Sequence, residues 1–110
     1  MSELKEYVDR IADELIAVYD GRAESDDGER ATFWDYFEDV LDIEYRIDGQ
    51  LRYKGVSLAV TLGGPNIWVD TWAGEVRGYW GSDRETAWLP REICDEIDAV
   101  FEDCYEAQRC

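Results

Sequence analysis

The apolar residues of this chain change their spacing twice along its length. Leu4, Val8, Ile11, Leu15 and Tyr19, joined by Tyr7, Ala12 and Val18, recur every three or four residues, the spacing of one helix side. From about residue 43 to residue 80, apolar and polar residues alternate instead, which is the period of a strand. After Pro90 the helical spacing returns with Ile93, Ile97, Val100, Phe101, Cys104 and Tyr105. Such an order buries its apolar positions by laying helices over one face of a sheet. The expected class is α+β.

Local chemistry sharpens the boundaries. The first helix is expected from Glu3 to Tyr19 with Ser2 as its N-cap, and Glu3, Glu6, Asp9, Arg10, Asp13 and Asp20 on its polar side. Residues Gly21 to Arg30 are polar and without period, hence a loop. Thr32 followed by Asp35 resembles a capping box with Asp in place of Glu, opening a short second helix from Phe33 to Leu41. Its apolar side holds Phe33, Trp34, Phe37, Val40 and Leu41. Pro90 suits the start of the last helix, whose far side carries Asp95, Asp98, Glu102 and Glu106.

Pairing apolar with apolar sets the expected register of the sheet. A turn at Lys54-Gly55 pairs Tyr53 with Val56, Leu51 with Leu58 and Ile47 with Leu62, and is preferred to a turn at Asp48-Gly49. A turn at Gly63–Asn66 aligns Leu62 with Ile67 and Val60 with Val69. A third at Ala73-Gly74 aligns Asp70 with Arg77 and Trp68 with Tyr79. The result is a four-stranded antiparallel meander, α-α-β-β-β-β-α, in one domain over residues 1–110. Ile47, Leu51, Tyr53, Val56, Leu58, Val60, Leu62, Ile67, Val69, Val76 and Trp80 share its inner face. Arg46, Gln50, Arg52, Ser57, Thr61, Trp68, Asp70, Trp72, Arg77 and Tyr79 share the outer one.

Composition narrows the function classes. Five Trp, seven Tyr and three Phe in 110 residues supply a core and exclude disorder of the whole chain. There is no His, which removes the usual neutral-pH base and the commonest metal ligand. With 27 acids, 11 bases and a pI near 4.1, direct nucleic-acid binding is not expected, because phosphate contacts need Lys and Arg. The N-terminus has no basic and apolar leader, and no apolar run approaches the roughly 18 residues of a membrane span. Cys94, Cys104 and Cys110 are an odd set of thiols, expected free in a bacterial cytoplasm, with Cys110 accessible enough to form an adventitious disulfide dimer.

No catalytic or metal motif emerges. Cys94 and Cys104 read as small buried hydrophobes. The Glu24–Glu29 loop lacks the alternating ligands of a calcium loop, since Ala23 and Ser25 stand where acids belong. Gly63-Gly64-Pro65-Asn66 has no Lys and reads as a turn. No cofactor is expected, nor an enzyme. Two features remain. One is an aromatic group on the outer sheet face, Trp68, Trp72 and Tyr79 with Arg77 among them, open to a partner unless the second helix covers it. The other is charge. Residues 1–42 hold 14 acids and four bases, residues 43–89 hold six and five, and residues 90–110 hold seven and two. The net charge of −16 exceeds the roughly 2–8 that solubility asks of a small domain, and it sits at both ends of the chain.

The runs Gly63–Thr71 and Gly78–Arg84 and the acidic helix Cys94–Tyr105, about half the chain, resemble small acidic proteins encoded on phages and conjugative elements of gut bacteria. In size, acidity and helix-plus-meander layout the chain is also similar to anti-CRISPR proteins, some of which are DNA mimics. That resemblance implies an inhibitor of a bacterial defence nuclease, foremost a Cas effector, seated in a basic nucleic-acid-binding cleft. The expected contact acids are Glu6, Asp9, Asp13, Glu24, Asp26, Asp27, Glu29, Asp95, Asp98, Glu102 and Glu106. Specificity is expected from Trp68, Trp72, Tyr79 and Arg77, and the chain itself is expected to be a monomer or weak dimer. Two alternatives share the composition: an immunity protein or antitoxin that neutralises a basic nuclease toxin, and a structural or regulatory subunit of a mobile element.

Overall fold

The structure, a computed structural model, describes residues 3–109. Helix α1 runs Glu3–Asp20 and α2 Phe33–Tyr36. Strands β1 (Asp42–Ile47), β2 (Tyr53–Thr61), β3 (Asn66–Asp70), β4 (Glu75–Trp80) and β5 (Asp83–Trp88) follow, and α3 is Arg91–Arg109. The strands pair antiparallel in chain order. The α+β meander is as expected but has five strands rather than four. Ser2 as an N-cap and Cys110 as an accessible thiol lie outside the described residues.

The apolar stripe of α1 accounts for its position. Leu4, Val8, Ile11, Leu15 and Val18 are buried, and a fully buried aliphatic side chain stabilises by roughly 1.5–3 kcal/mol, more than helix propensity supplies. The helix lies on β4 and β5, while α3 lies on β2. Close approach is possible because β4 has glycine beneath α1: a Cβ on Gly78 would stand 2.7 Å from Val8 Cγ2. Val56, Leu58, Ile67, Val69 and Val76 face the helices from the sheet, and none is more than 1% exposed. Helix α2 packs between α1 and α3 on this same side, with Phe37 edge-on to Phe101 at 5.7 Å.

The capping box forms, with Thr32 Oγ1 accepting from Asp35 N at 3.2 Å and Asp35 accepting from Thr32 N at 2.9 Å. The helix it opens ends at Tyr36 instead of Leu41. Phe37 leaves helical geometry, and the Leu41 N–H donates to Ala59 O at 2.9 Å, so sheet pairing captures the segment that would have continued α2.

The registers also differ from expectation. The β1–β2 connection is Asp48–Arg52, with Ile47 opposite Tyr53 and Ile43 opposite Leu58. Tyr53 and Val56 both face the helices although three residues apart, because a bulge at Lys54 supplies the odd residue that a turn would otherwise supply. Gln50 and Arg52 therefore lie in a loop, not on the outer face. Leu58 faces Val69, and Trp68 faces Arg77, so Trp68 does not sit opposite Tyr79. Both are two-residue slips, which keep side chains on their faces, but a bulge at Val60 sets Thr61 opposite Ile67, so Thr61, expected on the outer face, lies on the helical side. Two residues expected on the inner face lie outside the strands and are exposed: Leu51, in the Asp48–Arg52 connection, is 52% exposed, and Leu62, just past β2, is 45%. The unforeseen β5 pairs Trp80 with Asp83 across Gly81-Ser82 and ends with Trp88 opposite Glu75.

Candidate functional site

The sheet divides the molecule into two chemically different sides. On its helical side lie most of the exposed carboxylates. Glu6 and Asp13 of α1 are exposed, as are Asp95, Glu102 and Glu106 of α3. Asp9 is half-buried and bridges Lys5 at 3.0 Å, while Asp95 bridges Arg91 at 3.0 Å. Glu24, Asp26, Asp27 and Glu29 are exposed on the connection from α1 to α2, which is pinched by a bridge between Glu24 and Arg30. Asp27 accepts from the Ser25 hydroxyl and from Glu29 N, and the Ser25 hydroxyl bond holds its carboxyl below the usual range.

One member of the acidic set is displaced. Helical phase puts Asp98 on the far side of α3, yet it turns toward the sheet and accepts from Tyr53 Oη at 2.7 Å. It also bridges Arg91 at 3.3 Å. Burial and then the Asp98 carboxylate push the Tyr53 phenol well above its ordinary pKa, so it stays a donor. Asp98 is a structural carboxylate.

Beside the loop acids is a cleft of about 470 Å³ between α1, the 21–31 connection and α2. Its floor is Ala17, Val18, Ala23 and Ala31, and its walls carry Glu14, Glu24, Asp26, Asp27, Asp35 and Glu38, with no Lys or Arg among the lining residues. Glu14 accepts from Tyr36 Oη at 2.7 Å. Among the described residues no three His, Cys, Asp or Glu side chains are grouped as a metal site. No described helix is long and apolar enough to cross a membrane.

The other side of the sheet is uncovered by any helix. Alternation places Glu44, Ser57, Asp70, Glu75 and Trp88 in one row across it, and Asp42, Ala59, Trp68, Arg77 and Thr86 in the next. Tyr79 pairs with Arg84 in a third row. Trp72, in the β3–β4 turn, lies over Gly55, where a Cβ would be 3.0 Å from Trp72 Cβ, and the Arg46 guanidinium stands 4.9 Å above its ring. Arg84 stands 5.7 Å from the Tyr79 ring. Asp70 and Arg77, expected directly opposite one another, are diagonal neighbours and form an ion pair at 2.7 Å. Burial pushes the Asp70 carboxyl up, but the Ala73 N–H and the Arg77 guanidinium outweigh it and hold the group low.

Trp68, Trp72, Tyr79 and Arg77 thus share one face with Arg46, as expected, and are joined by Trp88 and Arg84 of the unforeseen β5. The Gly81-Ser82 pair between Trp80 and Asp83 is the two-residue hairpin cue that identifies β5 and, with it, Trp88. The acidic helical layer and the aromatic sheet face are back to back, so one flat surface cannot engage both. No protein-family model, curated protein or solved structure matches the chain. The functional reading rests on surface chemistry.

Proposed function

We propose that this chain is a non-enzymatic inhibitor that seats its acidic helical layer in the basic, nucleic-acid-binding cleft of a bacterial defence nuclease, foremost a Cas effector. The observation that carries this reading is the exposure of acids along two helices and the loop joining α1 to α2, on one side of a sheet whose own segment is almost neutral. Carboxylates three and four residues apart on a helix advance about 4.5–6 Å along its axis. DNA presents a phosphate about every 3.4 Å of axis on each strand. The densities are close enough for a groove lined with Arg and Lys to accept one for the other. Opposite fields also steer the encounter, which raises the association rate. The acid-walled cleft beside α2 adds a recess whose apolar floor suits the stem of an Arg or Lys while the walls meet its charge.

The test is competition. A Cas effector loaded with guide RNA is mixed with labelled target duplex and increasing amounts of this chain, and duplex binding is followed by fluorescence anisotropy. The reading expects the duplex to be displaced as the chain saturates the effector. Undisturbed duplex binding with blocked cleavage would refute phosphate mimicry.

A further inference from the structure

We propose that the open side of the sheet is the surface through which two copies of this chain meet face to face. Charge selects the occupant. The molecule carries −16, and any contact that uses the helical layer brings two strongly negative surfaces together. The open face carries four acids, Asp42, Glu44, Asp70 and Glu75, against Arg46, Arg77 and Arg84, a net of −1. It is the side on which a second copy is least repelled. Two of its arginines are stacked on rings of the same face, and the third is paired with Asp70, so its positive charge is held in place.

The face also has apolar surface to lose. Trp88 is 77% exposed and Trp72 53%, with Trp68 and Tyr79 beside them. Trp and Arg are the side chains most enriched at binding hot spots. Five strands of about six residues make a face of about 24 by 20 Å, so two copies would cover roughly 1,000 Å². That is the low end for a specific interface, which implies a reversible dimer. With sheets about 10 Å apart and a helical layer behind each, the two acidic layers stand roughly 30 Å from one another. Screening is effective beyond about 8 Å at physiological ionic strength, so repulsion between the layers is small. The dimer would present two acidic faces outward, whatever those faces bind.

Sedimentation equilibrium of the full chain in reducing buffer tests this, because a thiol-linked dimer is then absent. The proposal expects a concentration-dependent dimer that strengthens as salt is added, the opposite of binding to a basic partner. Trp88→Glu, at an exposed edge position, should weaken it by about tenfold or more while circular dichroism stays unchanged, and Trp72→Ala should weaken it less. Glu102→Lys on the helical layer should leave it intact. A chain that remains monomeric at every concentration and salt overturns the proposal. So does a dimer insensitive to Trp88→Glu and Trp72→Ala, or a monomer in which those substitutions weaken nuclease binding, which would give the face to the nuclease.

Discussion

Asp48 organises the first hairpin with one side chain. Its Oδ1 accepts from Gln50 N at 2.8 Å and Arg52 N at 3.0 Å, and its Oδ2 accepts from Arg52 Nε at 2.8 Å. This network sets the five-residue connection and holds Leu51 at a φ of 64°. The Asp48-Gly49 dipeptide was visible as a turn former, but apolar pairing argued for another turn, because it could not count hydrogen bonds to a side chain. The Arg52 N–H first, then the neighbouring donors, bring the Asp48 carboxyl from 3.8 down to about 2. A carboxyl that titrates lower when folded stabilises fully above its unfolded value and loses that contribution as pH falls through the folded one. Asp48→Asn should therefore lower the urea midpoint at neutral pH, and the gap from the parent should close as pH drops from about 4 toward 2. A gap that persists undiminished in acid would show that the carboxylate charge is not what holds the turn.

At the scale of elements, both long helices were legible because their apolar stripes keep period over three or more turns. Strand β5 was not, since Asp83 and Glu85 alternate with Arg84 and Thr86 and only Ala87 of that strand packs on the core. Edge strands bury little, so alternation carries little information there. Helix α2 was overextended because Val40 and Leu41 continue a helical period while the competing bond from Leu41 N to Ala59 O is non-local. Gly78 is the residue on which helix and sheet meet, and nothing in its local sequence announces that Leu4 and Val8 sit above it. Gly78→Ala inserts a Cβ 2.7 Å from Val8 Cγ2 and 2.9 Å from Leu4 Cδ1, so α1 must lift or its side chains must shift. We expect a loss of about 1–3 kcal/mol in chemical denaturation with native-like circular dichroism. An unchanged midpoint would mean that α1 rides more loosely on β4 than the structure has it.

For the whole molecule, charge segregation was readable from arithmetic alone: the terminal segments fold into the helical layer and the nearly neutral segment into the sheet. What arithmetic could not give was orientation, because helix phase misplaced Asp98, and only the pairing of strands set the aromatic face behind the acidic one. The central claim is that the exposed helical acids carry recognition. Calorimetric titration of a Cas effector at rising salt tests it most directly. The account predicts that log affinity falls steadily with log salt. It also predicts that Asp13→Lys combined with Glu102→Lys weakens binding, each exposed charge contributing up to about 1 kcal/mol, and flattens that slope. Affinity that is the same at low and high salt, or unmoved by both reversals, would contradict it.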